Sequence, residues 1–200
     1  RVGTLRPKHL SVARLIVNIP GVFGTFETPI ILVSRRVSPY YIKCENLASD
    51  SYGLHAVTSA FAGEVREGRF PDKITTSEAR GILFASPVGE KIGVGVTYVR
   101  KKEKAYGAPG KIVGRMEKGE YVLGIDDLVT TATSAENVVE SVRGNGSMID
   151  RYLVVFDRNE GSRQALAGME GGSVELSSLA CMDLDFIGAL SPEQRKVLEP

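Results

Sequence analysis

The sequence has no tryptophan, only two histidines and only two cysteines in 200 residues. These are too few histidines and cysteines for a zinc site of the usual kind. Cys44 and Cys181 lie far apart without a CxxC pair, so we expect no disulfide framework and predict a reducing compartment, the cytoplasm. No apolar run approaches the ~18 residues of a transmembrane helix, and no signal-peptide pattern is present.

Net charge is also almost absent, because 25 Lys+Arg face 24 Asp+Glu and give +1. Proteins that bind nucleic acids or membrane surfaces electrostatically have a basic excess, so we expect neither partner. A hydrophobic content of 42% excludes a disordered chain. A balanced total still allows a local cluster of cations, and therefore a small anionic ligand.

Apolar segments alternate with segments of helical periodicity along most of the chain. This alternation predicts an α/β fold with a mainly parallel sheet flanked by helices, which binds ligands at the carboxyl ends of its strands. Predicted helices are 9–18, 51–66, Gly81–Ile92, 135–143, Gly161–Leu166 and Glu193–Leu198. Predicted strands are a hairpin of 29–33 and 40–43 with a turn at 35–39, then Lys73–Thr76, Val94–Val99, Tyr121–Ile125, Tyr152–Phe156 and Val174–Leu179.

The segment 121–137 contains the most informative pattern. After the predicted strand come two adjacent carboxylates, Asp126 and Asp127, and then a hydroxyl-rich run, Thr130–Ser134, before a helix. Backbone N–H groups and the dipole at a helix N-terminus favour a phosphate, and two carboxylates can accept hydrogen bonds from sugar hydroxyls. The pattern therefore predicts a ribose 5-phosphate site; the alternative is a capped helix after an acidic turn.

This segment resembles the phosphoribosyl pyrophosphate (PRPP) motif of type I phosphoribosyltransferases, in which a strand, Asp-Asp and two residues precede Thr-x-Gly-Thr/Ser. Ala132 stands where that family usually has glycine. Glycine readily adopts positive φ there, whereas alanine does so at a cost of ~1 kcal/mol. The resemblance implies that PRPP is bound by Asp126, Asp127, Thr130, Thr131, Ala132, Thr133 and Ser134.

Four cations within five positions follow the predicted strand 94–99, namely Arg100, Lys101, Lys102 and Lys104. Such a run is often only a solvated surface. Together with Tyr106 and Gly107 it resembles the flexible catalytic loop of orotate phosphoribosyltransferases, Arg-Lys-x-x-Lys-x-His-Gly. The resemblance implies that loop 100–112 closes over pyrophosphate and reaches the neighbouring site of a homodimer. Mobile cations can stabilise the charge that gathers on departing pyrophosphate.

Two further segments resemble the orotate enzymes. Ser38-Pro39-Tyr40-Tyr41, after Ser34, Arg35 and Arg36, resembles their base-binding segment, although Val33 stands where many relatives have lysine. Phe156-Asp157-Arg158-Asn159-Glu160-Gly161 resembles their Asp-Arg-x-Glu-Gly signature. The resemblance implies that Tyr40 and Tyr41 pack against orotate and that Arg158 pairs with its carboxylate, a pairing that suits arginine. Thr130 is implied to contact orotate as well.

One segment favours a different base. Glu78-Ala79-Arg80-Gly81 resembles the pyrophosphate loop of adenine phosphoribosyltransferases. Arg80 could hold pyrophosphate beside N–H groups at a helix start, or it could pair with Glu78 and be structural. Both readings stay open from the residues.

Taken together, the segments resemble an orotate phosphoribosyltransferase over residues 21–161. This implies one domain over 1–200, with an N-terminal hood in 1–45, a core in 46–180 and a tail in 181–200. It also implies transfer of ribose 5-phosphate from PRPP to orotate, with Mg²⁺ bound through the substrate rather than by direct protein ligands, and with Lys101, Lys104 and Asp127 as catalytic residues. The alternatives are an adenine or other-base enzyme and a ligand-sensing regulator with reduced catalysis.

Overall fold

The computed structural model describes residues 7–31, 37–102 and 110–198. Within these ranges, no helix is long and apolar enough to cross a membrane. Elements are numbered along the chain. The helices are α1 (Pro7–Asn18), α2 (Cys44–Ser49), α3 (Ser51–Glu67), α4 (Ile82–Ile92), α5 (Thr133–Gly144), α6 (Ser162–Ala167), α7 (Leu184–Gly188) and α8 (Pro192–Leu198). The strands are β1 (Phe23–Ile31), β2 (Val37–Ile42), β3 (Lys73–Ser77), β4 (Gly95–Val99), β5 (Ile112–Val113), β6 (Val122–Val129), β7 (Arg151–Asp157) and β8 (Glu175–Cys181).

A six-stranded sheet of order β5-β4-β3-β6-β7-β8 forms the centre of the molecule. All neighbouring pairs are parallel except β4 and β5. Since consecutive side chains of a strand point to opposite faces, the apolar strands bury both faces, as parallel strands must when helices cover them. The predicted α/β fold with a mainly parallel, helix-flanked sheet is confirmed.

Two apolar clusters lie on the two sides of this sheet. On one side Leu123 of β6 belongs to a cluster with Phe61 of α3 and Phe84 of α4. On the other side the adjacent Val122 belongs to a cluster with Val138 of α5. The helices are thereby fixed against the sheet, and the loops at the strand ends are held by rigid elements.

The separate two-stranded sheet pairs β1 with β2 antiparallel. The predicted hairpin is therefore present, but its strands are longer, and Pro39 lies within β2 rather than in the turn. The register shifts between Thr25 and Ile30 of β1. Both strands fall inside the segment that was expected to form the hood. Ser34, Arg35 and Arg36 lie outside the described residues, as does Val33.

The largest difference from the predicted elements concerns β6. The sequence suggested a strand that ends at Ile125, whereas β6 continues to Val129 and includes both aspartates. The short elements α2, β5 and α7 were not predicted. The helix that follows the segment Glu78-Ala79-Arg80-Gly81 begins at Ile82, one residue later than expected.

Candidate active site

The predicted site residues follow four parallel strands at one edge of the sheet. Strand β3 leads into the loop 78–81, β4 into Arg100, β6 into the run Thr130–Ser134, and β7 into Arg158. Because the strands are parallel, their carboxyl ends meet at the same edge, the usual ligand-binding edge of such sheets. The backbone N–H of Arg158 donates to the carbonyl oxygen of Val129 at 3.0 Å, which joins two of these loops directly.

Asp126 is 3% exposed and is held by neighbouring strands. Its Oδ2 accepts hydrogen bonds from Ser77 Oγ at 2.5 Å and from Tyr152 Oη at 3.2 Å. Burial, and after it the adjacent charge of Asp127, raise the pKa of Asp126 to about 7, against the lowering effect of the Ser77 hydrogen bond. The group can thus change its protonation state near neutral pH.

Asp127 lies beside Arg80, the arginine of the loop 78–81. Arg80 Nε is 3.3 Å from Asp127 Oδ2, and Arg80 Nη1 is 3.6 Å from Glu45 Oε2. Among the described residues, Asp127 Oδ2 is buried without a hydrogen-bond partner. Burial raises the pKa of Asp127, while the Arg80 charge lowers it. Arg80 therefore pairs with Asp127 and Glu45 rather than with Glu78, and it brings a cation to the carboxylate pair.

The run Thr130–Ser134 turns into α5 through Ala132. Ala132 has φ of 76° and ψ of 0°, the left-handed conformation that the glycine of the resembled motif adopts without strain. Thr131 Oγ1 and Thr133 Oγ1 lie 3.3 Å apart. A cavity of about 70 Å³ opens here, between the turn and the sheet. It is lined by Asp126, Leu128, Val129, Thr130, Ala132, Thr133, Ser134, Ala135, Tyr152 and Val154.

A second cavity, of about 300 Å³, extends from this turn towards the cation run. Thr133 and Ser134 line both cavities, so the two adjoin at the N-terminus of α5. The other lining residues of the second cavity are Ser77, Val99, Lys101 and Asn137. An elongated anionic ligand can therefore extend from the helix N-terminus to Lys101.

The loop 78–81 packs closely against the carboxylates. The Glu78–Ala79 peptide bond is cis. A Cβ added at Gly81 would overlap Thr76 Oγ1 and Asp126 Oδ1, so this loop approaches Asp126 as closely as it does only because residue 81 is glycine. Glu78 Oε2 accepts a hydrogen bond from the Lys101 backbone at 3.1 Å, which links this loop to the start of the cation run.

The two ends of the cation loop are joined at its base. The Arg100 N–H donates to the Lys111 carbonyl oxygen at 2.9 Å, and β5 pairs with β4. Asn137 of α5 accepts from Lys111 Nζ at 2.6 Å and donates to the Arg100 carbonyl oxygen at 3.4 Å. Lys104 and Tyr106 lie outside the described residues.

At the end of β7 the structure brings together Arg158 and Tyr40. The Arg158 guanidinium lies 4.2 Å from the centre of the Tyr40 ring, a cation–π distance. Arg158 Nη2 donates to Ser38 Oγ at 2.8 Å, and Arg158 Nε donates to Glu160 Oε1 at 2.8 Å. Burial raises the pKa of Tyr40 to about 12, against the lowering effect of the Arg158 charge.

Tyr41 does not join this group. Neighbouring residues of β2 alternate between faces, with Ser38, Tyr40 and Ile42 buried. Tyr41 instead packs on Phe26 with ring centres 5.2 Å apart, and Lys43 Nζ lies 5.2 Å from its ring centre. Of the two predicted aromatics, one faces Arg158 and the other lies on the opposite face of the hairpin.

Several residues of the site were not singled out from the sequence. Ser77 and Tyr152 hold Asp126, and Asn137 joins the loop ends. Ser38 and Glu160 stand in the segments that resemble the orotate enzymes but had no predicted role, and they hold Arg158. Ser77 directly follows the predicted strand Lys73–Thr76 and ends the observed β3, and this position at the ligand-binding edge could have identified it. The contact between Ser38 and Arg158 spans 120 positions, and no local pattern indicates such a contact.

Comparison with solved structures shows which fold the protein has. The structure of Leishmania donovani UMP synthase matches with a TM-score of 0.79 and 22% identity, over 94% of this chain and 41% of that chain. Orotate phosphoribosyltransferase from Aeropyrum pernix matches with a TM-score of 0.72 and 24% identity, over 86% of this chain and 94% of that chain. The fold is that of the type I phosphoribosyltransferases.

Sequence comparison with curated proteins narrows the class, although no family model matches the chain. Orotate phosphoribosyltransferase of Halobacterium salinarum is 34% identical over 157 residues, or 78% of this chain and 84% of the relative. That of a Ruegeria species is 35% identical over 147 residues, or 72% of this chain and 65% of the relative. The chain thus spans most of the first relative and just under two thirds of the second. It belongs to the orotate phosphoribosyltransferase family.

Proposed function

We propose that the chain transfers ribose 5-phosphate from PRPP to orotate, which gives orotidine 5′-monophosphate and pyrophosphate, a step of pyrimidine nucleotide synthesis. The observation that best supports this proposal is the position of Arg158. This buried arginine stacks on Tyr40 and is bonded through its backbone to the end of the strand that contains Asp126 and Asp127. A cation for a planar carboxylate therefore lies beside a site for a phosphorylated sugar.

In this proposal PRPP occupies the two adjoining cavities. The 5-phosphate binds at the N-terminus of α5, to hydroxyl and N–H groups of Thr130, Thr131, Ala132, Thr133 and Ser134. Asp126 and Asp127 accept hydrogen bonds from the ribose hydroxyls; the Asp127 oxygen that lacks a hydrogen-bond partner among the described residues supports this role. Arg80 contributes positive charge beside them.

The pyrophosphate end of PRPP is proposed to face the cation loop, residues 100–112. Arg100, Lys101, Lys104 and Tyr106 are proposed to bind the pyrophosphate, with Lys101 and Lys104 stabilising its charge as it leaves. Support comes from the cavity that Lys101 lines together with Thr133 and Ser134. Tyr106 can donate a hydrogen bond there but holds no positive charge near neutral pH, so the lysines supply the charge stabilisation.

The chemistry asks for positioning rather than for a protein nucleophile. A ring nitrogen of orotate attacks the anomeric carbon while the bond from that carbon to pyrophosphate breaks, and positive charge develops on the ribose. Asp127 beside the ribose stabilises that charge. Tyr40 and Arg158 orient the base, with Thr130 at its edge. Tyr41 packs on Phe26 on the opposite face of the hairpin, and the base contact is assigned to Tyr40.

Mg²⁺ is proposed as the cofactor, carried by the pyrophosphate. In the part of the chain that the structure describes, no three His, Cys, Asp or Glu side chains are grouped so as to hold a metal ion. Mg²⁺ commonly keeps several waters and binds through substrate phosphates, so no direct protein ligand is proposed, and Asp126 and Asp127 remain assigned to the ribose hydroxyls. When bound, Mg²⁺ neutralises phosphate charge, and the protein residues orient the complex.

We further propose a cytoplasmic homodimer in which loop 100–112 serves the neighbouring site. The two cysteines are free, which suits a reducing compartment. The homodimer rests on the resemblance of the loop to that of the orotate enzymes. Size-exclusion chromatography with light scattering tests the assembly directly.

The second candidate is an adenine enzyme. The segment Glu78-Ala79-Arg80-Gly81 favours it, because this segment resembles the pyrophosphate loop of adenine phosphoribosyltransferases. Against it, adenine has no carboxylate for Arg158. A regulator with reduced catalysis is the third candidate, motivated by Ala132, Tyr106 and Val33 in place of the usual residues.

One assay separates these candidates. Purified protein is supplied with Mg²⁺ and PRPP, and with orotate or adenine, and the nucleotide product is identified by chromatography. We expect orotidine 5′-monophosphate. Consumption of adenine without orotate overturns the base assignment, and nucleotide binding without turnover of either base favours the regulator.

A further inference from the structure

Three groups hold the guanidinium of Arg158 in one orientation. Ser38 Oγ accepts from Nη2 at 2.8 Å, Glu160 Oε1 accepts from Nε at 2.8 Å, and the Tyr40 ring lies 4.2 Å from the guanidinium carbon. The Arg158 side chain is 5% exposed and that of Glu160 is 18% exposed. A buried arginine is thus fixed on one face and along one edge.

The groups that hold Arg158 are themselves fixed. The Ser38 hydroxyl donates to the Tyr40 carbonyl oxygen at 2.8 Å and accepts from the Tyr40 N–H at 3.3 Å, so its proton and lone pairs have defined directions. Glu160 lies only two residues from Arg158, in a turn in which the flanking residues Asn159 and Gly161 have φ of 59° and 101°. The turn returns the carboxylate to Nε.

A guanidinium has five N–H donors in a rigid planar fork. Ser38 and Glu160 engage Nη2 and Nε, which leaves the edge formed by Nη1 and the second Nη2 hydrogen for a planar, two-oxygen acceptor. Bidentate pairing demands that this edge point at the acceptor. Because the side chain is already ordered, little rotamer freedom is lost when the acceptor binds.

We propose that Ser38 and Glu160 are positioning residues that set the preference for a carboxylated base, by aiming Arg158. Neither is assigned a contact with substrate; both act through the guanidinium. The inference rests on the proposed function, because it takes the carboxylate of orotate as the acceptor. Ser38 lies in β2 of the small sheet, and Arg158 directly follows β7 of the central sheet, so the hydrogen bond also ties the orientation of Arg158 to the placement of the hairpin.

The alternative role for Ser38 is to hold the hairpin on the core, without any effect on base choice. The two roles differ in which ligands they affect. Loss of a purely structural contact lowers the affinity for every nucleotide alike, whereas loss of the Arg158 orientation lowers the affinity only for nucleotides that have the carboxylate. Orotidine 5′-monophosphate and uridine 5′-monophosphate differ only in that group. The ratio of their dissociation constants therefore depends on the orientation of Arg158, and it can be measured without catalysis.

The test compares dissociation constants for these two nucleotides by titration calorimetry. Wild type is expected to bind orotidine monophosphate more tightly. Ser38→Ala and Glu160→Ala should each reduce this preference about 10-fold, the typical effect of losing a hydrogen bond to a charged group, with the affinity for uridine monophosphate within about twofold of wild type. Ser38→Thr and Glu160→Gln, which keep an acceptor oxygen, should restore most of the preference.

Ser178→Ala is the matched control, since Ser178 Oγ also accepts from an arginine, Arg163 Nη2 at 3.0 Å, outside the base site. It should leave the preference unchanged. If wild type shows a preference and neither alanine variant lowers it, the positioning role is wrong. If wild type shows no preference, Arg158 does not pair with the carboxylate and the positioning role is also wrong, whereas the proposed function is decided separately by the turnover assay with orotate and adenine. Two independent alanine variants keep the test decisive if one of them does not fold.

Discussion

Lys111 donates a hydrogen bond of 2.6 Å from Nζ to Oδ1 of Asn137. The same amide donates to the carbonyl oxygen of Arg100 at 3.4 Å. Asn137 lies on α5, whose N-terminus is the proposed phosphate site, so one side chain connects that helix to both ends of the cation loop. The position of the loop 100–112 is therefore coupled to the proposed phosphate site through Asn137.

We predict that Asn137→Ala raises KM for PRPP about fivefold or more, the effect of losing a charge-assisted hydrogen bond, because Arg100 and Lys101 are then less well placed. Asn137→Asp should have a smaller effect, since it keeps an acceptor for Lys111 but loses the donor to Arg100. Steady-state kinetics with varied PRPP measure both variants.

Asn145→Ala provides the control for this prediction. Asn145 follows the C-terminus of the same helix, and its amide donates to the Met116 carbonyl oxygen at 3.3 Å and to Ser147 Oγ at 3.2 Å, so it bonds to neither Arg100 nor Lys111. Its KM for PRPP should match that of wild type. Equal effects of Asn137→Ala and Asn145→Ala would mean that the connection has no specific role.

Gly81→Ala is expected to damage both folding and PRPP binding. The added methyl group overlaps Thr76 Oγ1 and Asp126 Oδ1, and such overpacking costs about 1–3 kcal/mol of unfolding free energy. The loop 78–81 must move away from Asp126, which should raise KM for PRPP. Urea denaturation and steady-state kinetics measure the two effects.

Gly63→Ala is the counterpart. A Cβ at Gly63 of α3 meets no atom within 4 Å, so the same substitution should stabilise the protein by up to about 1 kcal/mol through helix propensity. The prediction fails if both variants shift stability in the same direction.

Two buried alanines at the start of α5 differ in backbone conformation. Ala132 has φ of 76°, whereas Ala135 lies within the helix, and each is 3% exposed. The substitution Ala132→Gly relieves the strain of the left-handed conformation, which is favourable, and loses the burial of one methyl group, which is unfavourable. Because these two effects oppose each other, the unfolding free energy should change by less than about 1 kcal/mol.

Ala135→Gly removes the same methyl group from helical backbone and should destabilise the protein by about 1–2 kcal/mol, from propensity and lost burial together. Thermal and urea denaturation of the pair measure the difference. Equal destabilisation by the two substitutions would argue against the left-handed conformation of Ala132.

The sequence indicates the fold well because buried parallel strands are apolar throughout and helices are amphipathic. It fails where short elements lack periodicity, as in α2 and α7. It also places the end of β6 too early, since two aspartates look like a loop. The strand continues because Ser77 and Tyr152 hydrogen-bond to Asp126 in the interior, a tertiary compensation that local patterns do not contain.

The sequence likewise predicts some residues of the site and cannot assign others. Resemblance of short motifs indicated Asp126, Asp127, the run Thr130–Ser134 and Arg158, because each occurs at a fixed offset from a strand. It could not separate Tyr40 from Tyr41, since that depends on which face of the hairpin meets the core. The residues alone do not decide between the two roles considered for Arg80, because its partner Asp127 is distant in sequence.

Lys104→Ala should lower kcat by at least ~10-fold, the typical effect of removing a transition-state charge contact. Lys102, an exposed lysine of the same run, stands outside the resembled motif, so Lys102→Ala should leave kcat within about twofold of wild type. Unchanged turnover by Lys104→Ala removes this lysine from the mechanism, and equal losses by both variants indicate a general effect of loop charge.

The last prediction concerns pH. Burial raises the pKa of Asp126 from 3.8 to about 7 in the folded protein. Between these values the folded state holds a proton that the unfolded state has released, so this group makes the free energy of unfolding fall as pH rises. The loss begins above pH 3.8 and is complete above about pH 7.

Asp126→Asn removes this titration while keeping a side chain that can bond to Ser77. Relative to wild type, its free energy of unfolding in the absence of ligands should therefore increase between pH 5 and pH 8, as measured by urea denaturation across that range. Glu140→Gln, at an exposed position of α5, removes a charge without changing burial and should show no such trend. A pH-independent difference between Asp126→Asn and wild type would contradict the raised pKa, because the carboxylate would then be ionised in both states throughout this range.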